Sequence, residues 1–136
     1  MPILNVSVSG QADPALSRSI ATALSEAAAV HLHKDPGVTA VVIRYIAPES
    51  WFVGGDSLTG QGLKSFHLDI KVTAGTNTKV EMADYVEAVF RTMNQLHGPL
   101  HDASYIVVHE VPAAAWGFAG KTQEHRFIVS KIKTAA

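Results

Sequence analysis

The chain is expected to fold as an α+β domain, a tandem βαβ repeat whose strands form a four-stranded mixed sheet with two helices on one face. Three observations predict it. Residues about 2–55 and 65–120 run through the same order of strand, helix, strand and Gly-rich turn. Landmarks recur 64 or 65 positions apart: Val8 with Val72, Pro48 with Pro112, Trp51 with Trp116. Apolar residues alternate at every second position in the strand segments and at helical spacing between them.

The first strand follows Met1-Pro2. Leu4, Val6 and Val8 alternate with Asn5, Ser7 and Ser9 up to Gly10, a half-buried pattern. Asp13-Pro14 starts a helix, because Asp caps the free N–H groups and Pro fits the first helical position. Leu16, Ile20, Ala23, Leu24, Ala27 and Val30 carry its apolar stripe to about His33. Thr39 to Ile46, rich in β-branched residues, is the second strand. Strand, helix and parallel strand close as a right-handed crossover. The unit ends in Pro48-Glu49-Ser50-Trp51-Phe52-Val53-Gly54-Gly55.

The second unit repeats this. Phe66, Leu68, Ile70 and Val72 alternate with His67, Asp69 and Lys71 up to Ala74-Gly75. Thr78 with Glu81 is a capping box, and Ala83, Val86, Val89, Phe90 and Met93 line the helix that stops near His97-Gly98-Pro99. Ser104 to Val111 is the fourth strand, followed by Pro112 to Gly120, a second copy of the aromatic turn. One domain, residues 1–136, is expected, with a tail at 121–136 whose Phe127-Ile128-Val129 reads as a strand crossing onto another subunit.

Composition narrows the function. A net charge of −1 with 17% charged residues and no basic stripe argues against nucleic acid. The absence of cysteine removes disulfides and thiolate metal sites. No apolar run reaches membrane-spanning length and no signal pattern precedes Asn5, so a cytoplasmic protein is expected. His31 and His33 point to different helix faces and suit the helix C-terminal dipole better than a metal. His67 and His109 are expected to be packing or network residues, and Asp69 to pair with Lys71 or with a neighbouring subunit. No metal or cofactor is expected. With both helices on one side, the polar strand face carrying Ser65, His67, Asp69 and Lys71 needs another cover, so a homo-oligomer is predicted.

Pro2 is the candidate for chemistry. Methionine aminopeptidase removes Met before Pro, which would leave a secondary amine at the head of an apolar strand. An α-amino group titrates near ~8 in water, and burial lowers that by disfavouring the cation. A neutral amine near pH ~7 is a competent general base. A proline that merely starts an edge strand is the plainer alternative.

Met1-Pro2, the tandem repeat and the two aromatic Gly turns, with Ser65-Phe66-His67-Leu68-Asp69-Ile70-Lys71, together resemble the tautomerase superfamily over residues 2–120. Within it the chain is similar to the fused branch, which includes macrophage migration inhibitory factor and 5-carboxymethyl-2-hydroxymuconate isomerase and forms trimers. The resemblance implies a keto-enol tautomerase of a small 2-hydroxydienoate or arylpyruvate-like 2-oxo acid, with Pro2 moving the proton and no cofactor. It implies that Lys34 and Lys71 are substrate-binding cations and Tyr105 a pocket tyrosine, while Trp116 or Phe52 supplies the aromatic wall. The pocket would lie between subunits, with Pro2, Lys34 and Lys71 from one chain and Tyr105 and Trp116 from its neighbour or the same rim.

Several positions depart from the family. Val41 and Gln11 stand where short 4-oxalocrotonate tautomerases carry arginines, and Val107 replaces a pocket asparagine. Phe118 and Ala28 replace the glutamate and histidine of related dehalogenases, which argues against water activation. The substrate carboxylate is left to Lys34, Lys71, Lys121 or Arg126. A non-catalytic trimeric binding protein and a small β-keto acid decarboxylase are the alternatives.

Overall fold

The computed structural model describes residues 1–135. Strand β1 (Ile3–Ser9) leads into helix α1 (Pro14–Leu32) and returns as β2 (Ala40–Ile46). Two short strands, β3 (Phe52–Val53) and β4 (Asp56–Ser57), and the single turn α2 (Leu58–Gln61) follow. Strand β5 (Phe66–Thr73), helix α3 (Lys79–His97) and β6 (Tyr105–Val111) repeat the first unit. They end in β7 (Gly117–Phe118), β8 (Lys121–Thr122) and helix α4 (Gln123–Ala135).

The sheet order is β2-β1-β5-β6. β1 runs parallel to β2 and antiparallel to β5, and β5 is parallel to β6. This is the four-stranded mixed sheet expected, with one crossover helix per unit.

Local chemistry explains where the helices begin. The Asp13 carboxylate accepts hydrogen bonds from the Ala15 and Leu16 amides at 3.1 and 3.2 Å. At α3 the reciprocal capping box forms: the Glu81 amide donates to Thr78 Oγ1 at 3.1 Å, and the Thr78 amide donates to the Glu81 carboxylate at 2.7 Å. Each of the two pairs satisfies donors that the first helical turn leaves unmatched.

The core lies between the sheet and the two long helices. Leu4, Val6 and Val8 of β1 and Phe66, Leu68, Ile70 and Val72 of β5 are buried against Ile20, Leu24, Leu32, Val89 and Met93. Tyr85 is fully buried with its hydroxyl unpartnered, and burial pushes its phenol above the ordinary value of 10.0. The opposite sheet face carries the odd-numbered residues of β1 and β5. In cross-strand rows it reads Ala40–Ile3–Lys71–His109, Val42–Asn5–Asp69–Val107 and Arg44–Ser7–His67–Tyr105. No described helix is long and apolar enough to cross a membrane.

One expectation is overturned. Phe127-Ile128-Val129 does not form a strand but lies inside α4. Apolar Phe127, Ile128 and Ile132 fall at helical spacing on it, and three consecutive apolar residues cannot separate strand from helix. The repeat therefore runs past residue 120: α4 is the counterpart of α2. The Leu58 amide donates to the Trp51 carbonyl at 2.9 Å, and the Gln123 amide to the Trp116 carbonyl at 2.8 Å.

Candidate functional site

The amino-terminal end of β1 lies within the field of charges from the turn after α1 and from α4. Pro2 is buried, and its carbonyl accepts the Ala40 amide at 3.2 Å, which docks the chain end against β2. Burial, and after it the positive charges of Lys34 and Arg126, hold the terminal amine of Met1 below its ordinary 8.0, with Asp35 pulling the other way. The chain end thus lies in a partly desolvated, electropositive setting, which favours a neutral amine.

Lys34 follows the left-handed residue His33 that ends α1. Its Nζ donates to Thr76 Oγ1 at 2.9 Å, and Thr76 Oγ1 donates to the Thr73 carbonyl at 2.6 Å. Burial pushes the Lys34 ammonium below its ordinary value, and Glu81 opposes the shift. Lys34 is thereby tied to the turn after β5. That turn forms one wall of a groove of about 500 Å³ whose lining includes Thr73, Thr76, Ala113, Gln123, Arg126 and Phe127. Pro2 and Lys34 are not in that lining; Lys34 connects to it through Thr76, and Arg126 in the lining acts on the terminal amine by its charge.

Arg126 is held on two sides. Its guanidinium lies 4.4 Å from the Phe118 ring centroid, and its Nη1 donates to Gln123 Oε1 at 3.1 Å. Such stacking keeps the planar fork pre-oriented.

The remaining candidates divide between the two ends of the sheet. Lys71 faces Ile3 across the β1–β5 ladder, close to Pro2, but on the open face. There Asp69 holds it at 3.4 Å and also takes His109 Nε2 at 3.2 Å. The Asp69–Lys71 pair and a network role for His109 agree with what the residue types suggest. Trp116, partly buried, sits beyond β6 at the Pro2 end, beside Phe118 and α4.

Tyr105 and Phe52 are elsewhere. Tyr105 is the first residue of β6, not near its end, and pairs with His67, which pairs with Ser7. Ser7 is five residues from Pro2, roughly 16 Å along a strand. Phe52 follows the far end of β2, and both rings are exposed, at 63% and 62%. Within one chain the charges of Lys34 and Arg126 act on the amine beside Pro2, Lys71 lies nearby on the open face, Trp116 lies at the same end of the sheet beyond β6, and Tyr105 and Phe52 lie apart.

The internal repeat places a second, smaller groove of about 390 Å³ at that far end, lined by Ser9, Gly10, Pro48, Lys64 and His97 among others. His97 is buried there, its Nε2 2.6 Å from the Ser9 carbonyl, and burial lowers its basicity. By the repeat, Ser65 and Phe66 stand at this end where the other has Met1 and Pro2.

Sequence reasoning missed Gln123. A signal was present in the repeat: an offset of 65 sets Gln123 on the apolar Leu58, and both are buried. Among the described residues, no three His, Asp or Glu side chains come together as a metal site would require.

No family model matches the chain, and no curated protein matches it. Solved structures do. A fused 4-OT, wild type, determined as a symmetric trimer, aligns with a TM-score of 0.78 at 18% identity, covering 91% of this chain and 98% of its own. Pt0534, whose structure was determined after inactivation by 2-oxo-3-pentynoate, aligns at 0.79 and 13% identity, covering 90% and 97%. A macrophage migration inhibitory factor-like protein from Entamoeba histolytica aligns at 0.73 and 18% identity, covering 89% and 97%.

Proposed function

Because this chain carries the fused, tandem βαβ form of the tautomerase-superfamily fold, we propose that it is a cofactor-independent keto-enol tautomerase of a small 2-oxo or 2-hydroxydienoic acid. Pro2 is its general base once Met1 is removed. The observation that carries this reading is the chain end itself: Pro2 is buried, and burial first, then the charges of Lys34 and Arg126, depress the terminal amine. With Met1 gone the amine moves one residue inward, to the buried Pro2. It then takes a proton from the enol oxygen or the adjacent carbon and returns it to the other. The cations hold the carboxylate and stabilise the negative charge that develops on oxygen.

The working unit is proposed to be a homotrimer. The open sheet face exposes Val42, Val107 and Tyr105 beside the Asp69–Lys71–His109 network, a mixture suited to burial against further copies. Tyr105 and Phe52 lie too far from Pro2 within one chain, so their place in a pocket depends on the neighbouring subunit. The fused 4-OT of similar fold, determined as a symmetric trimer, supports this arrangement.

The test is a pH profile of enol ketonisation, with phenylpyruvate enol as substrate. The neutral amine is the active form, so kcat/KM rises with pH through the amine pKa and levels off above it. Lys34→Met removes a positive neighbour, lets the amine's pKa rise, and is expected to move the acid limb to higher pH. An acid limb that stays in place would contradict the assignment of that limb to the terminal amine.

A further inference from the structure

We infer that Gln123 and Arg126 of α4 form a carboxylate subsite that selects monocarboxylic acids with an apolar body, an inference that rests on the tautomerase reading and decides between its two substrate classes. Gln123 is 9% exposed and lines the groove, yet its Nε2 has no hydrogen-bond partner. A buried donor left unmade is costly. Flipping the amide does not relieve it, because Nε2 would then meet the Arg126 Nη1 that now donates to Oε1. The amide is therefore held with a buried donor that no acceptor among the described residues matches, so an incoming oxygen must displace the packing over it to reach it.

Arg126 stands next to it in the same groove. Its fork is stacked on Phe118 and spends one N–H on Gln123, and no carboxylate among the described residues forms an ion pair with it. A carboxylate taking both the guanidinium and the amide would complete both groups. The start of α4 adds its dipole in the same sense. The other cations are worse placed: Asp69 holds Lys71 on the open face, Lys34 donates to Thr76, and Lys121 is exposed on β8.

The rest of the groove argues against a second carboxylate. Ala74, Ala113 and Phe127 make its wall apolar, and Glu124 puts a negative charge on the rim. An aryl or alkyl body fits that wall; a dienoate with an acid group at each end brings one carboxylate towards Glu124.

Binding of inert probes to the full chain separates this inference from the proposed reaction. Ligand-observed NMR would compare phenylacetate, its neutral carboxamide and the diacid adipate. Phenylacetate is expected to bind, and Arg126→Gln to weaken it about 10–100-fold, the range of a lost charged hydrogen-bond pair. Gln123→Glu, which gives Arg126 an internal carboxylate, is expected to weaken it as strongly. The carboxamide should bind weakly and ignore both changes. Adipate should bind more weakly than phenylacetate, with Glu124→Gln narrowing the gap. Circular dichroism confirms that each variant is folded, and a variant that fails to fold leaves the decision to the other. Phenylacetate affinity unchanged in the folded variants, or absent in the wild type, would overturn the subsite. Turnover of phenylpyruvate enol is read separately: Arg126-dependent binding without turnover would contradict the tautomerase and leave the subsite standing.

Discussion

Replacing Pro2 by Ala is expected to lower enol ketonisation by about 10²–10⁴-fold, the usual contribution of a positioned proton-transfer group. The fold should survive. Pro2 contributes no backbone N–H to the ladder, and the bond that its carbonyl accepts from the Ala40 amide persists in the variant. Alanine also keeps a terminal amine, but a primary one on a freer backbone, without the ring that holds the nitrogen in line. Loss of rate should therefore fall mainly on kcat, with probe binding at α4 retained. A Pro2→Ala protein as active as the parent would remove Pro2 from the chemistry.

The largest expected effect on stability is at Leu68. It lies in the middle of β5, fully buried, between Val6 of β1 and Ile106 of β6 in register. Leu68→Ala opens a cavity where the sheet meets both helices and is expected to cost about 2–5 kcal/mol. A domain of this size has roughly 5–15 kcal/mol in total. The denaturant midpoint should fall with little change of slope, since the same surface is exposed on unfolding. A cost of less than about 1 kcal/mol would show that this site repacks in a way the observed core does not suggest.

The fold was legible because its signals are local. Alternation in Leu4, Val6 and Val8, the Asp13-Pro14 start and the Thr78–Glu81 capping box each operate within one turn or one strand. The 65-residue repeat then joins the units without any long-range information. The tail was misread for a physical reason. Phe127, Ile128 and Val129 have high strand propensity, and α4 is held by contacts with the turn after β6 that no short window contains.

The site was only partly legible. Pro2 and Lys34 stand at chain landmarks, a terminus and a helix end, and these can be placed from sequence. Arg126 acts on the amine by its charge only because α4 shares a groove with the turn after β5, so it could be named as a cation but not ranked. Lys71 stands at the Pro2 end of β5 but faces the open side, where Asp69 pairs with it. Tyr105 could be assigned to a strand, but its distance from Pro2 follows from the antiparallel pairing of β1 with β5, which residue spacing does not encode.

The central claim is that the amine at the Lys34–Arg126 site belongs to proline. The intact mass of the protein isolated from its native host tests this most directly. The account predicts a mass lower than that of the translated sequence by one methionine, with Pro2 as the first residue in terminal sequencing. A native protein that retains Met1 would contradict it, because the Pro2 nitrogen would then be an amide with no basic lone pair.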